Sequence, residues 1–265
     1  MHLSISTGTF YMVPFAKTLE LIRRAGFEYI ELLQYWKGGR WEMGQHLRGI
    51  PPAEALKMAE DSGLRISSLH DGGGIVEEAV PSVISRSTYE YMQYGKIPCV
   101  VFHPPMKYTG DQADYLARAA RDLKQLRELA VVCVENLFPV EGLSTSLLDP
   151  SDMLAFVTEH DIFTTIDTTH CAQTGLDLAH TAKILRERVR TVHLSDYTHP
   201  QSHVFVGEGT LDLRGFIRAL DHGGSHALTL ECDVKYHEYD EEKTVEQLKQ
   251  ALAYMQDITQ EGGGA

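Results

Sequence analysis

Short runs of apolar and β-branched residues recur along the chain, each followed by a stretch whose apolar positions fall at helical spacing. The first run, Leu3–Thr9, ends in the polar turn Thr7-Gly8-Thr9. After Pro14, residues Phe15, Leu19, Ile22 and Ala25 fall near i, i+4 and i+7, which predicts a helix stopped by Gly26. The alternation then repeats. Strands are predicted at Phe27–Leu33, Leu64–Leu69, Cys99–Phe102, Val131–Val134, Ile162–Ile166, Val189–Leu194 and Leu228–Cys232. Helices are predicted between them at Ala53–Asp61, Pro81–Tyr94, Gln112–Leu129 and Pro150–Glu159, around Leu178, Ala182 and Leu185, and at Leu213–Leu220. Val245, Leu248, Leu252 and Met255 mark a last amphipathic helix, and a frayed tail follows at 261–265.

The pattern amounts to eight strand-then-helix units with no Pro/Gly/Ser linker dividing them. Strands that are apolar nearly throughout and alternate with helices imply a parallel sheet. Eight units favour a closed barrel over an open doubly wound sheet, so the expected fold is α/β, a single (β/α)8 TIM barrel over residues 1–260. No GxGxxG follows the first strand and no GxxxxGK[ST] occurs, which weakens both nucleotide-binding alternatives. One stretch breaks the rhythm. Gln34–Pro51, with Tyr35, Trp36 and Trp41, reads either as a binding lid or as a packed surface loop.

Composition narrows the function classes. The 265 residues are 43% hydrophobic, enough for a large core, and carry a formal charge of −13. That balance argues against a surface built for nucleic acid. No apolar run approaches bilayer length, so no membrane partner is expected. Cys99, Cys133, Cys171 and Cys232 form no CxxC pair, and three of them sit inside strand-like runs. A reducing, cytoplasmic setting without structural disulfides is the expectation. The sequence leaves a homo-oligomer open.

The chemistry concentrates at strand ends. In a barrel of this kind the C-terminal strand ends and the loops after them converge on one site. His70, His103, Glu135, Asp167, His170, His193, His203 and Glu231 all fall there, with Glu31 as a further candidate. Asp167 and His170 are delivered together, by a strand that runs into a turn of Thr, Cys, Gln and Gly. A carboxylate ending an apolar strand is costly to bury unless it is paired or bound to a cation. Glu135, Asp167, His193 and Glu231, on strands five to eight, make a ring of three carboxylates and one imidazole, and a divalent cation resolves that crowding. An oxygen-rich set with one nitrogen suits Mn²⁺ or Mg²⁺, with Zn²⁺ and Co²⁺ as the alternatives. Gly72-Gly73-Gly74 reads as a phosphate cradle or a flexible turn. Trp36, Trp41, Phe10 and Tyr11 read as a stacking surface for a sugar or as packing across the barrel mouth.

The chain resembles the xylose-isomerase-like TIM-barrel superfamily. The pieces that carry the resemblance are Gly26-Phe27-Glu28-Tyr29-Ile30-Glu31, Phe102-His103-Pro104, Val134-Glu135-Asn136, Asp167-Thr168-Thr169-His170, Val192-His193-Leu194-Ser195-Asp196, Gly207-Glu208-Gly209 and Leu230-Glu231. That superfamily holds sugar and sugar-phosphate isomerases and epimerases, inosose dehydratases, hydroxypyruvate isomerases and endonuclease IV. The resemblance implies metal ligands at Glu135, Asp167, His193 and Glu231, and a substrate or further-metal contact at His170. In the sugar branch it implies a small polyhydroxylated substrate. There the metal acidifies the C–H beside a carbonyl, and Glu135 and Glu231 remove and return a proton through an enediolate. His203 would then hold a distal hydroxyl or phosphate. Glu31, Trp36, Asp196 and Glu208 are weaker substrate candidates, Glu31 alternatively an ion-pair partner and Glu208 a loop brace. In the nuclease branch His70, His103, His170 and His203 match ligands of extra zinc ions. Gln201-Ser202-His203 departs from that branch's Asp-x-His, and a neutral amide is a poor zinc ligand.

Overall fold

The computed structural model describes residues 1–34, 47, 49–72, 86–94, 97–104, 106–107, 113–142, 144–220, 227–234 and 239–262. Most of the aromatic loop with Trp36 and Trp41, together with Gly73 and Gly74, lies outside them. The first elements are β1 (His2–Ser6), α1 (Phe15–Ala25), β2 (Tyr29–Gln34), α2 (Pro52–Asp61), β3 (Arg65–Asp71), α3 (Arg86–Tyr94), β4 (Cys99–Phe102) and β5 (Met106–Lys107). Next come α4 (Ala113–Leu126), β6 (Val131–Glu135), β7 (Ser144–Thr145), α5 (Pro150–Glu159), β8 (Phe163–Asp167), α6 (Thr168–Thr174) and α7 (Leu178–Leu185). The chain ends with β9 (Val189–Leu194), β10 (Asp196–Thr198), β11 (Gln201–Val204), α8 (Leu213–Ala219), β12 (Ala227–Leu230) and α9 (Glu241–Gly262).

Eight of the strands close into a parallel barrel in the order β1-β2-β3-β4-β6-β8-β9-β12, and β12 pairs back onto β1. The expected single TIM barrel is therefore the fold. Local chemistry explains most boundaries. Gly26 stops α1 with φ at 96°, a left-handed conformation in which glycine avoids a Cβ clash. Pro52 and Pro150 open α2 and α5, where a missing N–H costs no helical hydrogen bond.

Three segments depart from the pattern read off the chain. The first strand stops at Ser6, and Thr7–Phe10 forms a single 3-10 turn. It is held there because Ser6 Oγ accepts the Gly8 N–H and Thr7 Oγ1 accepts the Leu33 N–H. A Cβ on Gly8 would stand 2.3 Å from Leu33 Cδ2, so a side chain there would force the buried Leu33 to move. Residues 168–174, expected as a turn, are helix α6, because Asp167 Oδ1 caps it by accepting the His170 N–H at 2.7 Å. Part of the loop Tyr197–Gly209 is an antiparallel hairpin of β10 and β11.

Most apolar side chains, from Ile5 to Ile258, form one large core. A separate small cluster of Cys99, Val101 and Cys133 packs with Val131 and Phe163. Cys133 shares the face of Glu135 two residues on, so this cluster lies on the barrel's inner side. Elsewhere hydroxyls fill the interior: Ser4 of β1 meets Ser67 of β3 at 2.8 Å across β2, and Thr165 of β8 meets Thr191 of β9. Phe10 is fully buried, which makes it core rather than a stacking surface. All four cysteines are free and buried. Among the described residues no helix is long and apolar enough to cross a membrane.

Candidate metal centre

Alternation along each strand aims every second side chain into the barrel, and the last inward positions are polar. Glu31 on β2, His70 on β3, His103 just after β4, Glu135 on β6, Asp167 on β8, His193 on β9 and Glu231 just after β12 meet at the C-terminal mouth. Parallel registry places Asp167 directly opposite His193, and His193 opposite Thr229.

One donor atom from each of Glu135, Asp167, His193 and Glu231 lies within 4.8 Å of the others. His193 Nδ1 sits 2.9 Å from Glu135 Oε1 and 2.8 Å from Glu231 Oε2. Asp167 Oδ2 is a buried oxygen with no hydrogen-bond partner, and Glu135 Oε2 and Glu231 Oε2 have only imidazole nitrogens beside them. Burying three carboxylates with little but imidazoles beside them is costly unless a cation or protonated histidines balance the charge. A doubly charged ion takes such oxygens together with one imidazole nitrogen. The buried His/Glu cluster is therefore consistent with a divalent metal site.

Besides the triad of Glu31, His70 and His193, two further triads adjoin it. His70 Nε2 and His103 Nε2 are 3.0 Å apart and lie 3.1 and 3.2 Å from Glu135 Oε2. Asp167, His170 and His203 form the other, with the two imidazoles edge to face at 5.3 Å. His170 Nδ1 is 2.9 Å from the Asn136 carbonyl, and His203 Nδ1 is 3.2 Å from the Glu231 carbonyl. Donation of Nδ1–H to those carbonyls leaves each Nε2 as a lone pair for the site. His203 holds φ at 50°, a left-handed value uncommon for a non-glycine residue. Its backbone is tied down by Asp233 N–H to its carbonyl at 2.8 Å and by its own N–H to Thr169 Oγ1 at 3.3 Å.

The charges are set by competition between burial and neighbours. Burial opposes ionising Glu135, but His193 and His70, with His103 and His170 beside them, hold it well below the usual carboxylate range. Glu231 follows the same logic, burial being outweighed by His193, and falls to about 2. Burial pushes Asp167 up. Burial likewise opposes the imidazolium forms of His193 and His170, yet Glu231, Glu31 and Glu135 carry His193 well above its ordinary value, and Asp167 with Glu135 carries His170 to about 9. Without an ion, protons on histidine balance the carboxylates.

All eight strand-end residues expected at this mouth are gathered there. Two weaker candidates sit deeper than the others. Glu31 has no exposed surface and lies within ion-pair distance of His193 and His70. Asp196 is also buried, and its carboxylate accepts the N–H groups of Tyr197, Gly207 and Leu211, which braces the loop. A Cβ on Gly209 would stand 2.2 Å from Asp196 Oδ1 and 2.7 Å from Tyr197 N. Gly209→Ala is accordingly expected to lower unfolding stability by about 1–3 kcal/mol in urea titration. Glu208 is exposed and lines a cleft of about 1130 Å³ that runs from His203 to Lys243 and Gln247.

Asn136 and Ser68 escaped the sequence reading, although each is next to or paired with a strand-end acid. Asn136 Nδ2–H donates to the Asp167 carbonyl at 3.2 Å and its Oδ1 accepts the Asp167 N–H at 2.7 Å. The amide thus locks the end of β8 to the end of β6. Asn136→Ala leaves the Asp167 N–H buried and unpaired, an expected loss of about 1–3 kcal/mol by denaturant titration.

A sequence profile described as xylose isomerase-like TIM barrel matches residues 19–258. No curated protein sequence matches the chain. Among solved structures, an L-ribulose 3-epimerase superposes with a TM-score of 0.74 at 18% identity, covering 98% of this chain and 95% of that one. A D-psicose 3-epimerase determined in the presence of D-fructose gives 0.74 at 15%, covering 98% and 99%. A D-allulose 3-epimerase from Methylomonas sp., in complex with D-allulose, gives 0.74 at 16%, covering 97% of each. At such identities the likeness carries the fold alone.

Proposed function

The chain belongs to the xylose isomerase-like TIM-barrel family, and on that premise we propose that it is a divalent-metal-dependent isomerase or epimerase of a small sugar or sugar phosphate. The observation that carries the reading is the convergence of three carboxylates and one imidazole, Glu135, Asp167, Glu231 and His193, at one point of the barrel mouth. Those four residues would hold the ion, Mn²⁺ or Mg²⁺ ahead of Zn²⁺ or Co²⁺. When bound, it supplies Lewis acidity that makes the C–H beside a substrate carbonyl easier to ionise. Glu135 and Glu231 flank His193 Nδ1 and serve as the pair that takes and returns the proton. The Nε2 atoms of His170 and His203 bind substrate hydroxyls, or a phosphate in their place. The solved ketose 3-epimerases with the same fold add support for this substrate class.

The test is incubation of the metal-loaded protein with a panel of ketoses, ketose phosphates and inososes in D₂O, read by NMR. Deuterium entering the carbon beside the carbonyl, with appearance of an epimer or isomer, supports the proposal. Deuterium entry followed by loss of water indicates a dehydratase. No exchange on any member counts against proton-transfer chemistry, and a protein that carries no ion after metal-replete purification is a ligand-binding barrel.

One observation favours a second reading, an endonuclease IV-like zinc phosphodiesterase or phosphohydrolase. His70, His103 and Glu135 Oε2 already cluster as a second three-donor set. Two or three zinc ions per chain with cleavage of abasic-site DNA would establish it, and one Mn²⁺-like ion with sugar turnover would remove it. Gln201 weighs against a full third set, since it is exposed and lacks a carboxylate.

A further inference from the structure

We propose that Glu31 is a positioning residue, whose buried carboxylate accepts the Nε2–H of His193 and so fixes the tautomer that presents a bare Nδ1 to the metal centre. The inference rests on the proposed ligand set of Glu135, Asp167, His193 and Glu231.

A neutral imidazole has one N–H, and a nitrogen that binds an ion must be without it. His193 Nδ1 is the nitrogen between Glu135 Oε1 and Glu231 Oε2, at 2.9 and 2.8 Å. The proton therefore belongs on Nε2, and Glu31 Oε2 lies 3.1 Å from that atom. Glu31 comes from β2 and His193 from β9, so the contact spans the barrel interior, where both side chains have no exposed surface.

The carboxylate is itself held. Ser68 Oγ donates to Glu31 Oε2 at 2.7 Å, and Ser67 Oγ donates to the Ile30 carbonyl at 3.0 Å. The β2–β3 ladder shifts register between Ile30 and Glu31, which puts Ser68 directly opposite Glu31. Such an irregularity re-aims a side chain next to a functional site. Among the described residues the ion-pair partners of Glu31 are His70 and His193, so no Lys or Arg accounts for burying this acid. A carboxylate behind a ligating imidazole sets ring orientation and raises ligand basicity, and its loss typically lowers metal affinity 10- to 100-fold.

The test uses the full chain and its Glu31→Leu, Glu31→Gln, Ser68→Ala and His193→Ala variants. Affinity for Mn²⁺ is measured by calorimetry, and the His193 tautomer by long-range ¹⁵N–¹H NMR of the Zn²⁺-loaded protein. Native protein is expected to show the proton on Nε2. Glu31→Leu should bind Mn²⁺ roughly 10- to 100-fold more weakly with the His193 Nε2–H signal shifted or exchange-broadened. Glu31→Gln, which keeps an acceptor, should retain the tautomer with a smaller loss, and Ser68→Ala should weaken binding in the same direction. If Glu31→Leu does not fold, the Gln and Ser68 variants decide. Native affinity in folded Glu31→Leu, or in both of those milder variants, overturns the inference while a loss in His193→Ala leaves the ligand set standing. Unchanged Mn²⁺ binding in His193→Ala overturns both.

Discussion

A Glu135→Gln enzyme is expected to turn over at least about 10³-fold more slowly than the native chain, because one substitution removes both a proton acceptor and an ion ligand. Glu135 lies where four imidazoles converge. Its Oε1 is 2.9 Å from His193 Nδ1 and 3.4 Å from His170 Nδ1, while Oε2 is 3.1 Å from His70 and 3.2 Å from His103. Gln keeps the shape but replaces one charged oxygen with an NH₂ group, which has no lone pair to offer an ion. It also cannot take a proton from carbon at neutral pH. The two losses separate by measuring turnover against metal concentration. If the defect persists once the variant is saturated with Mn²⁺, the missing function is proton transfer, and if excess metal restores the rate, it is ligation. Turnover within about tenfold of native at ordinary metal concentration would remove Glu135 from the mechanism.

The ring that makes this prediction was readable because of a conflict inside the sequence. Val131–Val134 is wholly apolar and Ile162–Ile166 is apolar or β-branched throughout, and each is followed at once by an acid. Only a shared polar centre relieves that conflict, and barrel closure says where it is. The helix at 168–174 was not readable, because Thr168, Thr169 and Thr174 are indifferent helix formers and the deciding contact is the Asp167 cap. Glu31 and Asp196 carried the same signal, an acid near a strand end, yet they make unrelated contacts. Asp196 lies beyond β9, where it meets the backbone N–H groups of a returning loop, whereas Glu31 is within β2 and faces the opposite wall. Which way each acid points depends on a register shift and on a distant loop, and neither leaves a local trace. The hydroxyl lining of Ser4, Ser67, Thr165 and Thr191 was hidden for the same reason, since alternation in a buried strand says nothing about what stands across the barrel.

Removing the divalent ion should abolish turnover, and the stability the ion adds should grow as pH rises from about 6 to 9. In the metal-free chain the carboxylates are balanced by protons, with burial opposing but Asp167 and Glu135 carrying His170 to about 9, and with Glu231, Glu31 and Glu135 carrying His193 well above its ordinary value. An unfolded histidine titrates near 6.5. A folded value raised above the unfolded one contributes stability that is fully present below about 6.5 and is lost as pH climbs through about 9. The metal-free protein therefore weakens across that window. An ion needs bare nitrogens and ionised oxygens, so it displaces these protons and binds more tightly as they become easier to remove. At neutral pH and a 100-fold excess over its dissociation constant, the ion adds about 2.7 kcal/mol, or roughly 5–10 °C in Tm for a chain of this size. Thermal melts with and without Mn²⁺ at pH 6, 7.5 and 9 measure the effect, and calorimetry in two buffers of different ionisation enthalpy counts the protons released. A metal-induced Tm gain that is the same at all three pH values, with no proton release, would mean the ion binds elsewhere than among Glu135, Asp167, His193 and Glu231.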